Sequence, residues 1–161
     1  MPGRTETVEH EIQIRARPET VFAYFTDPAR MVQWMGTAAT LDPRPGGECR
    51  ITMSRAIGEA TVRGRFEEVD PYTRVVFTWG WEDGFLGVPP ATSRVEVDLV
   101  PEDGGTRVRI EHRSLPAAAV GDHVAGWRHY FERLRLVAEG RDPGPDEFVV
   151  PSVAAQLAPD D

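Results

Sequence analysis

The chain has 161 residues, 40% hydrophobic and 27% charged, with a formal net charge of −8, the size and composition of one folded domain with its own core. That negative balance disfavours nucleic acid and anionic membrane surfaces as partners, because both recruit basic side chains. A single cysteine, Cys49, rules out an intramolecular disulfide and leaves a cysteine-based zinc cage short of ligands, and the absence of lysine excludes Schiff-base chemistry and a Walker-type phosphate lysine.

From Thr7 to Arg17 the sequence alternates with period two, which places Val8, His10, Ile12, Ile14 and Ala16 on one face of a half-buried strand. Pro18 then suits the first turn of a short helix carrying Val21, Phe22 and Phe25. Asp27 and Pro28 read as N-cap and first position of a second helix, with Met31, Val32, Trp34 and Met35 along it and Gly36 at its end. From Thr40 onward strands alternate with turn signals at Pro43 to Gly47, Ile57 to Glu59, Asp70 to Thr73, Gly84 to Pro90 and Pro101 to Gly105, which predicts an antiparallel meander. Each strand offers one apolar face: Cys49, Ile51 and Met53; Val62, Gly64 and Phe66; Val75, Phe77, Trp79 and Trp81; Val95, Val97 and Leu99; Val108 and Ile110.

Between Ala117 and Glu139 the period changes, and Val120, Val124, Trp127, Phe131, Leu134 and Ala138 form the stripe of a long helix that Gly140 ends. Residues 141–161 are rich in proline and acid without a sustained period. An extended, mobile tail is expected there, with docking of its Phe148 to Pro151 patch as the alternative. The expectation is therefore an α+β domain over 1–140: a curved antiparallel sheet of about seven strands, two short helices after the first strand, and a long C-terminal helix that the sheet wraps. No apolar run reaches the roughly 20 residues of a membrane span, and the N-terminal MPGRTETVEHEIQ has no signal-peptide core, so a cytoplasmic location without membrane insertion is expected.

The stretches FTDPARMVQWMG, DPRPGGECRITM, GRFEEVDPYTRVVFTWGWE, PEDGGTRVRIEH and GWRHYFERLRLVAEG resemble the activator of heat-shock protein 90 ATPase homologue-like branch of the SRPBCC (START-like) superfamily. The resemblance covers roughly Val8 to Gly140. It implies a helix-grip fold with an apolar pocket between the sheet and the last helix, used across that superfamily for lipids, polyketides and other apolar molecules. Some members are cyclases or hydratases, so the fold leaves catalysis open. The eukaryotic activator implies a chaperone-linked interaction module as another alternative.

On this reading the partner is a small apolar or amphipathic ligand, with a homodimer and a chaperone open as macromolecular partners, and no cofactor or metal is called for. Trp34, Met53, Phe66, Phe77, Trp79, Trp81, Trp127 and Phe131 are the candidate pocket walls, although ordinary core packing explains the same side chains. His10 and His112 fall on the apolar faces of the first and last strands, which this topology makes neighbours; they are candidates to orient a ligand or to act as acid and base, and backbone-bonded structural histidines are the alternative. An enzyme would need such a pair, or a carboxylate such as Glu82, directed into the cavity. His123 and His129, six apart, do not share a helical face as metal ligands would. The loop GFLGVPP is a candidate lid, with Phe85 and Leu86 at its exposed tip.

Overall fold

The computed structural model describes residues 4–55 and 58–157. The alternating segment forms β1 (Thr5–Ile14), followed by α1 (Pro18–Thr26), whose first position is Pro18, and α2 (Pro28–Met31), whose N-cap Asp27 accepts from the Ala29 amide at 2.9 Å. Six strands follow: β2 (Ala38–Leu41), β3 (Glu48–Arg55), β4 (Gly58–Asp70), β5 (Arg74–Trp79), β6 (Ser93–Glu102) and β7 (Gly105–Pro116). A short 3-10 turn leads into α3 (Val120–Ala138), and α4 (Pro151–Leu157) closes the described chain. The predicted turn at Ile57 lies outside the described residues.

All seven strands pair antiparallel in the order β1-β7-β6-β5-β4-β3-β2. The first and last strands are thus neighbours, with Val8 opposite His112 and His10 opposite Ile110. The helices gather on one side of this curved sheet, where Ile14, Ile51, Phe66, Phe77 and Ile110 are fully or almost fully buried against α1 and α3. On the outer face Arg74 bridges Glu68, Glu96 and Asp98 at 2.7 to 2.9 Å, a network on half-exposed side chains.

Two predicted elements differ. The second helix stops after one turn, because the amides of Gln33 and Trp34 bond back to Arg30 and Met31 with three-residue spacing. That tightening swings Trp34 inward, where its indole donates to the Tyr24 carbonyl at 3.0 Å. The long helix ends as expected, with Gly140 at φ +82° and the amides of Gly140 and Arg141 bonded to the carbonyls of Val137 and Leu136. Beyond it, however, the chain is neither extended nor detached: it runs back along α3 and forms α4 against it.

Gly80 has a specific task. A Cβ there would stand 1.7 Å from the Pro89 carbonyl oxygen, so glycine alone lets residues 84–90 fold back beneath the turn between Trp79 and Trp81. The Trp81 amide then bonds to Val88 at 2.7 Å, which fixes both tryptophans on the concave side.

Candidate functional site

A cavity of about 60 Å³ lies between the N-terminal half of α3 and the β3–β5 end of the sheet. The sheet side contributes Met53 and Ser54 from β3, Trp79 from β5 and the adjoining Trp81, with Met35 from the turn after α2. Opposite them α3 contributes Asp122, His123, Gly126, Trp127 and Tyr130. Phe85 and Leu86, together with Phe148, Val149, Val150 and Val153 of the C-terminal segment, complete the lining.

Of the residues predicted as walls, Met53, Trp79, Trp81 and Trp127 line this cavity. Trp34, Phe66, Phe77 and Phe131 do not: they are buried interior residues outside its lining. Phe131 packs against His10, Phe25, Trp34 and Trp127, with ring centroids 5.7, 6.5, 6.3 and 5.8 Å away. Phe85 and Leu86 are half-buried rather than exposed, with the Phe85 ring edge-on to Trp81 at 5.3 Å. Glu82 turns away to the surface, 3.2 Å from Arg50.

The histidines are arranged differently from the expected pairing. His10 is half-buried against Phe131, where burial and then Arg128 lower its pKa. The imidazole beside His112 is His123 of α3, perpendicular to it at 5.1 Å. Sequence spacing carries this: His123, Trp127, Tyr130, Phe131 and Leu134 follow helical periodicity, and all are buried, whereas Val120 and Val124 are only half-buried.

Hydrogen bonding fixes the tautomer of each ring. An indole nitrogen only donates, so the 3.0 Å contact from Trp127 Nε1 to His112 Nδ1 leaves that nitrogen without a proton. Burial, and then His123, holds the His112 pKa well below its usual value, so the neutral ring carries its proton on Nε2 and donates to Ser93 Oγ at 2.8 Å. Ser93 in turn donates to the Trp79 carbonyl at 2.8 Å, completing the chain. His123 is the opposite case: its Nδ1 donates to the Ala119 carbonyl at 2.8 Å, and burial keeps the ring neutral by lowering its pKa. Its Nε2 is therefore a bare acceptor. That atom and the indole nitrogens of Trp79 and Trp81 are buried without a hydrogen-bond partner among the described residues, and all three residues line the cavity.

Among the described residues no group of three or more histidine, cysteine, aspartate or glutamate side chains is arranged to hold a metal ion, and no helix is long and apolar enough to cross a membrane. Cys49 is fully buried, and burial followed by Glu48 pushes its thiol up to about 12. A thiol-selective reagent is expected to label it only in denaturant; stoichiometric labelling of the folded protein within minutes would contradict this packing.

The family model for activator of Hsp90 ATPase homolog 1-like proteins matches residues 15–139. The human activator of 90 kDa heat shock protein ATPase homolog 1 is 24% identical over 122 residues, 73% of this chain and 32% of that protein. The chain thus spans about a third of that relative's length. An AHSA1-like protein from Rhizobium etli, solved by NMR, is 42% identical and superposes with a TM-score of 0.69 over 90% of this chain and 89% of that one. DynU16, from the dynemicin biosynthetic locus, shares the fold at 24% identity, with a TM-score of 0.70 over 85% of this chain and 49% of its own.

Proposed function

The chain belongs to the activator of Hsp90 ATPase homolog 1-like protein family, and from that premise we propose that it reversibly binds a small amphipathic molecule in the cavity beneath α3. The observation that carries this reading is the chemistry of the lining: Met35, Met53, Trp79, Trp81 and Trp127 make an apolar wall, yet two indole donors and one imidazole acceptor in it have no partner among the described residues. A buried polar group left unpaired costs about 1–3 kcal/mol, so a wall built this way favours a ligand that supplies both an acceptor and a donor. An oxygenated aromatic or aliphatic molecule meets that demand, with a carbonyl toward the indoles and a hydroxyl toward His123. Capture of this kind needs no acid–base pair, and His112 is fully committed to Trp127 and Ser93.

Two molecules of one outline test the reading, 4-hydroxyacetophenone and p-cymene, the second having methyl groups where the first has oxygens. Net gains of about 0.5–1.5 kcal/mol per hydrogen bond predict that the hydroxyketone binds roughly 10-fold tighter by calorimetry, and that His123→Leu removes several-fold of that preference. Equal affinities, or preference for the hydrocarbon, would overturn it. The name of the human relative favours a second reading, docking to a chaperone ATPase. Stimulation of a purified Hsp90-type ATPase by the whole chain would support it.

A further inference from the structure

We propose that the C-terminal segment from Asp146 to Val153 is a built-in competitor for the cavity, a plug that the ligand must displace; this rests on the reading of the cavity as a ligand site. The segment has the layout of a plug, an apolar stretch between two polar clamps. On one side Asp146 accepts from His129 Nε2 and from the Tyr130 hydroxyl, each at 2.8 Å. On the other, Asp122 of α3 accepts from the Ser152 amide at 2.9 Å and from the Ser152 hydroxyl. Between these clamps Phe148, Val149 and Val150 line the cavity, joined by Val153, so a phenyl ring and three isopropyl groups occupy its border. The Phe148 ring also stacks on His129, 4.5 Å away and inclined by 14°. Upstream, Arg133 donates to the carbonyls of Pro143 and Gly144 at 3.3 and 2.9 Å, which holds the segment's approach along α3.

Volume gives the docked segment its consequence. About 60 Å³ remains with the segment in place, against roughly 300–1,000 Å³ for sites that enclose drug-sized molecules. A molecule larger than a few water-sized groups therefore enters only where Phe148 and the valines leave. Apparent affinity is then the affinity of the open cavity reduced by the fraction of molecules in which the segment is undocked. Any partner or modification that holds the segment away would raise affinity without touching the cavity itself.

The test uses the full chain and the neutral fluorescent probe N-phenyl-1-naphthylamine. Three proteins are titrated: the unaltered chain, Asp146→Ala, which breaks a clamp outside the cavity, and the double variant Phe148→Ala/Val150→Ala. A plug predicts that both variants bind the probe at least about fivefold tighter, and that probe binding to the unaltered chain speeds hydrogen exchange of the amides in 146–157. Weaker binding in the variants together with slower exchange would overturn the plug and make the segment a wall or lid, while leaving the cavity a ligand site. A different result would remove the ligand site itself, and the plug with it: no binding by any of the three, or binding by Asp146→Ala that survives Gly126→Leu, which fills the cavity from α3.

Discussion

Phe131→Ala is expected to lower the free energy of unfolding by about 3–5 kcal/mol. The side chain is fully buried at the point where β1, α1, the turn after α2 and α3 converge, and its neighbours are the rings of His10, Phe25, Trp34 and Trp127. Rings pinned from separate elements collapse poorly into a void, which places the cost toward the upper end. Trp34 is held by its bond to Tyr24 and Trp127 by its bond to His112, so neither rotates freely into the space. Domains of this kind have only about 5–15 kcal/mol in total, and for this length each kcal/mol moves the melting temperature by roughly 2–4 °C. Urea unfolding followed by tryptophan fluorescence measures it; a loss under about 1 kcal/mol with an unchanged slope would mean that α3 does not seat on the sheet as described. Phe131→Leu separates packing from shape, since it restores most of the volume and should recover more than half of the loss.

The same ring shows how far sequence patterns reach. Period-two alternation marked β1 and the apolar faces of the meander, and the change to helical period marked α3, because both follow from burying one face of a regular element. Patterning alone does not separate a wall from the core behind it. Phe66, Phe77 and Trp34 carry the same signal as Trp79 and Trp127, and only the packed position of each side chain in the folded chain decides which of them meet the cavity. The histidine pairing was hidden for a related reason: strand adjacency suggested His10 with His112, but His112 is met from above by the helix, through His123. The C-terminal segment was the largest departure. Its composition lacks a period, yet Asp146, Phe148 and Ser152 each find a partner on α3, and specific clamps of this sort leave no trace in hydropathy.

Acidification is expected to destabilise the protein between about pH 6.5 and 5, with the half-buried His10 adding to the main cause, the buried His112 and His123. In the unfolded chain both imidazoles titrate near 6.5, whereas in the folded state burial keeps His112 neutral well below that value and lowers His123 as well. Below 6.5 the unfolded chain therefore binds more protons than the folded one. The stability that goes with neutral rings is complete above 6.5 and is lost as pH falls through it, at up to about 1.4 kcal/mol per pH unit for each ring. The loss ends once the folded ring itself takes a proton. Carboxylates act in a different window: Glu96, held low by Arg74 and Arg113 against the cost of its burial, and Glu139, held low by the Arg15 amide and Arg141, add stability that is lost only as pH falls below about 4.5. A fall in stability between about pH 6.5 and 5, at up to about 1.4 kcal/mol per pH unit for each ring that stays neutral, is accordingly assigned chiefly to the two buried histidines, and urea midpoints at half-unit steps would measure it. His123→Gln should remove that ring's share of the slope; a flat profile in the unaltered chain would show that the imidazoles are hydrated. The site should keep its selectivity while the folded ring stays neutral and lose it only at lower pH, since a proton on His123 Nε2 converts an imidazole acceptor that is unpaired among the described residues into a donor. A ligand hydroxyl that donates to that nitrogen near neutral pH would then face a competing N–H, so preference for 4-hydroxyacetophenone over p-cymene should hold while stability begins to fall and narrow only where the folded ring itself takes a proton.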